Sequence, residues 1–322
     1  MSAEEAMYDV LIVGGGPAGC TAALYAARGG LRTAILSPAE LSGMMAKAPI
    51  VGNFPAQVEP LPGKEILALI RQQALNAGAE HLIEPALAVD FTDEEKRLVY
   101  GGGGVHAALT VIIATGAMAP QEKVAGEDKF QGLGVCYCTA CDGPLYAGRD
   151  VLVVGGDEQA AEEALALAGI AKSVVLIVPQ AELELEAEMQ KAVEANDAIR
   201  VACGLSILEI IGDQFVQGAT FRDRHGAQQH IPADGVFLYL RGTAPATDFL
   251  EGALETDDQG FIVTDELCQT SVSGVFAAGD VRKKQVSQMV VAAADGATAA
   301  LAAERFIRKR ITVSRDRGRA KE

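Results

Sequence analysis

Apolar runs of strand length alternate along this chain with small and apolar residues at helical spacing, an order that predicts an α/β fold. Tyr8–Val13 (YDVLIV) is continuously apolar, as a strand buried on both faces of a parallel sheet must be. The segment GGGPAG follows, then a helical Cys20–Arg28, then a second strand at Leu31–Leu36. This is a β-turn-α-β unit of roughly 30 residues, the size of a dinucleotide site. The pattern recurs at Asp150–Val154 (DVLVV), GGDEQA, a helix over Ala161–Ala168 and a strand at Ser173–Val178. Two such units predict two nucleotide-binding-type domains. A third segment, Gly274–Asp280 (GVFAAGD), reads as a short strand followed by an Ala-rich helix from about Ser287 to Arg308. Its position after the second unit predicts that the first domain is split and resumes near Gly242. Gly101–Gly104 reads as a loop or hairpin turn. The tail Ile311–Glu322 has no apolar period and reads as mobile.

Composition narrows the function. The 322 residues suffice for two cores, and 49% hydrophobic with 22% charged is ordinary for a globular protein. The net charge of −16 repels phosphate backbones, which sets nucleic acid aside as a partner. Runs such as Val10–Val13 and Val174–Val178 are too short to cross a bilayer. With no leader-like start, the chain reads as cytoplasmic. Six cysteines do not make a disulfide scaffold in a chain this long; in a reducing compartment a close pair is more often catalytic or metal-binding.

The first glycine motif has a division of labour. Gly14 serves the tight turn, Gly16 lets the backbone approach a pyrophosphate, and Gly19 permits close helix–strand packing, while the helix N-terminus offers N–H groups to the phosphates. Pro17 and Ala18 complete the turn. The acidic residue expected at the end of the second strand is missing: Ser37 stands there, with Glu40 three residues on as the weaker candidate for the ribose. The second copy, Gly155-Gly156-Asp157-Glu158-Gln159-Ala160, puts Asp157 where the second glycine belongs, so side chain and charge both oppose a phosphate. Val178-Pro179-Gln180 ends the next strand with no arginine for a 2′-phosphate. The alternative is an unusual turn that still takes NADH through Glu182.

Cys138-Thr139-Ala140-Cys141 places two sulfurs one helical turn apart, within disulfide reach, with the thiolate favoured near a helix N-terminus. Such a pair cycles between dithiol and disulfide through a mixed disulfide. Half of a zinc site is the other reading, but no second CxxC or HxxxH accompanies it. Asp142 is the candidate acid–base group for the leaving thiolate. Cys136 reads as a small packed residue, and Cys20, Cys203 and Cys268 as core fillers.

Over nearly its whole length the chain resembles the low-molecular-weight thioredoxin reductases. The resemblance rests on GGGPAG at 14–19, ATG at 114–116, GVCYCTACDG at 134–143, IVTDELCQTSVSGVFAAGD at 262–280 and QMVVAAADGATAALAAERF at 288–306. It implies two Rossmann-like three-layer domains, with an FAD domain (1–118 and 243–322) split by an inserted NAD(P)H-type domain (119–242) that carries the CxxC. It implies that Cys141 faces the flavin, that Cys138 attacks the disulfide of a partner, usually thioredoxin, and that Asp142 handles the proton. For FAD it implies Gly14 to Gly19, Gly43, Met44, Asn53, Ala114, Thr115, Gly116, Gly279, Asp280, Gln288 and Met289, and for the assembly a homodimer.

The departures concern the electron donor. The family's Gly-Gly-Gln-Leu reads Ser42-Gly43-Met44-Met45, its Arg-Gln pair reads Ser287-Gln288, and its second glycine motif and His-Arg-Arg segment for NADPH are absent. Some relatives do without pyridine nucleotide, so the expectation is a flavin enzyme fed by a small electron-transfer protein such as ferredoxin. Ferredoxins are usually acidic, and Arg282, Lys283 and Lys284, with Arg305, Arg308, Lys309, Arg310, Arg315, Arg317, Arg319 and Lys321, supply a local basic region. The competing readings are an NADPH- or NADH-dependent reductase with an atypical site, an oxygen-using dithiol oxidase, and a flavoprotein scaffold.

Overall fold

The computed structural model describes residues 7–93, 95–118, 124–240 and 244–319, the last with side chains through 310 and at 312. The chain divides into two compact units, Met1–Met118 with Thr243–Glu322, and Ala119–Gly242.

The first unit opens with β1 (Tyr8–Val13), α1 (Pro17–Arg28), β2 (Thr33–Ser37), α2 (Gly43–Lys47), α3 (Gly63–Asn76) and β3 (Glu80–Ile83). It continues with β4 (Ala86–Asp90), β5 (Arg97–Gly101), β6 (Val105–Ile113) and β7 (Ala117–Met118). In the second unit lie α4 (Glu127–Phe130), β8 (Val135–Cys136), α5 (Thr139–Asp142), β9 (Asp150–Val154), α6 (Glu158–Ala168), β10 (Ser173–Val178), α7 (Ala187–Glu194) and β11 (Ile199–Cys203). There follow β12 (Leu205–Gly212), β13 (Val216–Asp223), β14 (Gln228–Pro232) and β15 (Gly235–Leu238). The chain then returns to the first unit with β16 (Ala244–Pro245), β17 (Val275–Ala277) and α8 (Met289–Arg319).

The central sheet of the first unit runs β3-β2-β1-β6, all parallel, and β6 then divides its edge. Val105–Ala108 pairs antiparallel with β5, whereas Val111–Ile113 pairs parallel with β17. The β5–β6 connection is the hairpin expected at Gly101–Gly104, closed by Gly101 N–H donating to the Gly104 carbonyl at 2.7 Å. On one face, the small residues Ala18, Ala22, Ala23 and Ala26 of α1 meet Ala299, Ala300 and Ala303 of α8; residues this small let two helix backbones approach closely. In the second unit the parallel sheet runs β11-β10-β9-β15-β8, and β12-β13-β14 form a separate antiparallel sheet. Every strand of the parallel sheet ends at the same edge, so the turn after β9 and the chain after β8 emerge on one side, where α/β sheets place their ligands.

Two segments depart from expectation. α1 begins at Pro17, one turn before the apolar spacing starts, because proline at the first helical position has its φ already set. The tail expected to be mobile from Ile311 is instead the end of α8, helical to Arg319; Lys321 lies outside the described residues. Arginine and lysine are good helix formers without any apolar stripe, and Arg308–Glu304 and Thr312–Arg308 contacts support the turns at 304–312.

Gly19 is the tightest point of α1, since a Cβ there would run into the Gly14 carbonyl. Gly19→Ala is therefore expected to destabilise the chain by about 3 kcal/mol, at the upper end of an overpacked site. Thermal unfolding of the FAD-free protein reads this directly, and an unchanged midpoint would contradict the packing.

Candidate functional site

Gly14 has φ +116°, a backbone conformation that side-chain-bearing residues rarely adopt, and a Cβ on it would strike the Ala114 carbonyl. The two motifs meet there: Gly14 N–H donates to Leu36 O at 2.8 Å, and Ala114 N–H donates to Val13 O at 2.7 Å. Ala114, Thr115 and Gly116 thus lie beside the first turn, with Thr115 Oγ1 donating to Ala246 O at 2.8 Å. Gly16 is the N-cap of α1, no side chain caps the helix, and a Cβ on Gly16 would meet nothing within 4 Å. The amide N–H groups of the first turn therefore face open space that a phosphate fits.

The later segments converge on the same edge. Gly279 stands against Ala18, and its N–H donates to Asp295 Oδ2 at 3.1 Å. Asp280 Oδ1 is buried and accepts no hydrogen bond among the described residues, although the Lys284 ammonium stands 2.8 Å away. Such an oxygen suits a ligand hydroxyl. Asn53 Nδ2 donates to Gln288 Oε1 at 3.3 Å, bringing together residues 235 positions apart, and Met289 begins α8 beside them. Gly43 and Met44 lie further out, on α2, which packs on α3 where Gly63 meets the Met45 carbonyl.

Sequence reading missed what replaces the acidic residue after β2. Ser37 Oγ donates to Ala39 O at 2.7 Å and lies 2.7 Å from His81 Nε2, while Arg71 Nε donates to His81 Nδ1 at 2.8 Å. Because Nδ1 accepts, the ring proton sits on Nε2 and points to Ser37. Burial and the Arg71 charge hold His81 below the ordinary imidazole range, so it stays neutral. Arg71 also reaches Glu40 at 3.6 Å and tethers the ribose candidate. Asp295 was missed too, though a charged residue inside the run AAADGA was a signal. It is buried and paired with Arg282 at 3.0 Å and Lys284 at 3.4 Å.

The second turn is closed. Asp157 is the N-cap of α6, and its Oδ1 accepts the Ala160 N–H at 2.9 Å. The Gln180 side chain lies where a Cβ on Gly156 would be. A carboxylate of the chain thus holds the amide that a phosphate needs.

Cys138 and Cys141 form a disulfide with Cα atoms 5.3 Å apart. Cys138 caps α5, and its Sγ accepts the Cys141 N–H at 3.2 Å. That donor stabilises negative charge on Cys138 once the pair is reduced. Asp142, half-buried at the end of α5, is pushed above the usual carboxylate range by burial, opposed by a hydrogen bond from Cys136. Cys20 and Cys268 are buried as core residues, and Cys203 packs at the edge of the second core.

A family model described as pyridine nucleotide-disulphide oxidoreductase matches residues 8–296. The chain belongs to that family, in its low-molecular-weight thioredoxin reductase branch. It is 38% identical to the thioredoxin reductase of Aquifex aeolicus (strain VF5) over 95% of each protein. It is 36% identical to that of Peptoclostridium litorale, over 94% of this chain and 98% of the relative. The solved thioredoxin reductase of Giardia duodenalis superposes with a TM-score of 0.89 at 35% identity, covering 94% of this chain and 99% of that one. The chain is accordingly a flavin-dependent disulfide oxidoreductase with FAD as cofactor. Among the described residues no helix is long and apolar enough to cross a membrane.

Gly16→Asp copies the second turn into the first at a site with room for the side chain. It is expected to weaken FAD binding at least about a hundredfold by filling and charging the phosphate space. The far-UV circular dichroism stays unchanged. Absorbance of the purified protein and fluorescence titration with FAD read the loss; full retention of FAD would overturn the assignment of this turn.

Proposed function

We propose that this chain is a thioredoxin reductase-type enzyme whose flavin is reduced by a donor other than NADPH, and that it reduces thioredoxin or a thioredoxin-like disulfide protein. The observation that carries the donor reading is the contrast between the two glycine turns: α1 begins open, whereas Asp157 and Gln180 close the start of α6. In this reading residues 1–118 and 243–322 hold FAD. Gly14, Gly16, Pro17, Ala18 and Gly19 take the pyrophosphate, Glu40 the adenosine ribose, and Asp280 the ribityl hydroxyls. Gly43, Met44, Asn53, Ala114, Thr115, Gly116, Gly279, Gln288 and Met289 line the remainder, and residues 119–242 carry the dithiol. The protein acts in the cytoplasm as a homodimer.

When bound, FAD supplies two-electron transfer to the Cys138–Cys141 disulfide. The reduced pair then works as a nucleophile and a resolving thiol. The Cys138 thiolate, favoured by the Cys141 N–H, attacks one sulfur of the partner disulfide; that bond breaks, a mixed disulfide forms, and the released partner sulfur takes a proton from Asp142. Cys141 attacks Cys138, re-forming the intramolecular disulfide and releasing the second partner thiol.

Ferredoxin is the proposed donor, with Arg305 and Lys309 on α8 as exposed cations for an acidic partner. Arg282 and Lys284 are held by Asp295 and Asp280 instead, and Lys283 lies 3.9 Å from Asp257, so the basic cluster after Gly279-Asp280 is locally offset. The second reading, a pyridine nucleotide-dependent reductase, is favoured by the family's own description.

Anaerobic mixing of the holoenzyme with excess NADPH, and separately NADH, decides between the two. The flavin absorbance is expected to stay oxidised with both, and to bleach with reduced ferredoxin in a preparation that then reduces thioredoxin. Bleaching by either nucleotide within a turnover would overturn the donor reading.

A further inference from the structure

A chain of hydrogen bonds lies against the first glycine turn, where a dinucleotide site ordinarily has its ribose carboxylate. Ser37, the last residue of β2, is 1% exposed. A Cβ on Gly15 would stand 2.8 Å from Ser37 Oγ and 3.7 Å from His81 Nε2, so both groups sit directly beside the turn. The serine is fully engaged by the chain. Its hydroxyl proton goes to Ala39 O at 2.7 Å, and its carbonyl accepts the Glu84 N–H at 2.8 Å. With Arg71 Nε donating to His81 Nδ1 at 2.8 Å, His81 Nε2–H is left to donate to Ser37 Oγ at 2.7 Å. The same guanidinium reaches Glu40 through Nη2 at 3.6 Å. Its two ends see different surroundings: the Arg71 side chain is 17% exposed and that of Glu40 71%. Arg71 is thus gripped from inside and holds an exposed carboxylate at the rim.

That grip matters because an unanchored glutamate gives up its rotamer freedom when it meets a ligand hydroxyl. A guanidinium is a rigid planar fork, so fixing Nε on the imidazole fixes the direction in which the terminal nitrogens point. Arg71 can donate to Nδ1 only while the ring is neutral. The charged and titratable groups facing His81 are Arg71 of α3 and Glu40 of the loop after β2. On α1, Cys20 feels Arg71 too, but burial pushes its thiol up to about 12 and its Sγ–H donates to Gly15 O at 3.2 Å. Glu80, the neighbour of His81 on β3, turns the other way, to Tyr8 and Arg32.

We propose that Arg71 and His81 are positioning residues for FAD: the relay from Ser37 through His81 and Arg71 holds the Glu40 carboxylate oriented for the hydroxyls of the adenosine ribose, and does so only while His81 is neutral. The proposal rests on the assignment of Glu40 to that ribose.

Equilibrium dialysis of the holoenzyme against FAD, and against an FAD analogue whose adenosine ribose lacks the 2′ and 3′ hydroxyls, gives both dissociation constants by exchange of the bound flavin. The wild-type protein is expected to hold FAD about tenfold more tightly than the analogue, the scale of one hydrogen bond to a charged group. Arg71→Met removes most of that preference by weakening FAD and leaving the analogue unmoved. His81→Ala acts in the same direction by less. His81→Gln, whose amide can donate to Ser37 and accept from Arg71, retains the preference. The pH dependence has a definite sign. A proton on Nδ1 would face the Arg71 N–H and set two positive charges together, so FAD affinity falls as pH drops through the His81 midpoint, below the ordinary imidazole range. His81→Gln abolishes that fall. A packing role alone would weaken FAD and the analogue equally. That result in Arg71→Met, or a wild-type pH profile in His81→Gln, overturns the proposal. Glu40→Ala separates the two readings. If the preference for FAD survives in it, the ribose assignment of Glu40 fails and the relay's role fails with it. If the preference vanishes in Glu40→Ala and survives in Arg71→Met, the assignment stands and the relay alone is overturned.

Discussion

A helix that starts directly after a buried parallel strand brings unsatisfied N–H groups to the carboxyl edge of the sheet, and something has to satisfy them. Each unit of this chain answers differently. In the first, Gly19 lets α1 pack onto the Gly14 carbonyl, Gly14 lets the turn pass the Ala114 carbonyl, and Gly16 leaves the amides pointing into open space. In the second, Asp157 supplies the oxygen itself. The fold tolerates either answer, since an aspartate N-cap is worth about 1 kcal/mol to the helix it caps.

The second unit also mounts the redox pair. Cys138 follows β8 at the carboxyl edge, and α5 carries Thr139 to Asp142. Below the pair, Thr139 meets Tyr239, whose N–H donates to Val154 O at 2.7 Å and whose carbonyl crowds Gly155. One residue therefore touches both the dithiol helix and the second glycine turn. Gly155 has to stay small so that β15 can end where it does, whatever occupies the edge beyond.

The legible part of the sequence was the part written in short-range pattern. Continuous apolar runs gave β1, β9 and β10, and the glycine spacing located both turns, because strand burial and close backbone approach restrict residue type locally. The relay from Arg71 through His81 to Ser37 was not legible. Its members lie on α3, β3 and β2, and only the parallel pairing of β2 with β3 makes neighbours of them. Asp295 gave a partial signal as a charge in a small-residue helix, but its role in holding Gly279 depends on the packing of α8 over the sheet edge. The end of α8 was misread because a run without an apolar stripe looks uncommitted, whereas a helix already nucleated by packing extends through good helix formers at little cost.

Charge shows the same gap between pattern and structure. The sequence gathers basic residues immediately after Gly279-Asp280, and on a chain of net charge −16 such a cluster reads as a landing site for an acidic partner. In the structure Arg282 reaches inward to Asp295 Oδ1, while Lys284 and the Gly279 N–H share Asp295 Oδ2. Their work is to let a carboxylate be buried under the loop, which is affordable only when paired cations and a backbone donor satisfy it together. The exposed cations Arg305 and Lys309 lie on α8, away from the loop that those pairs hold. Because the same carboxylate accepts the Gly279 N–H and shares Lys284 with Asp280, neutralising it would disturb the loop that carries both residues.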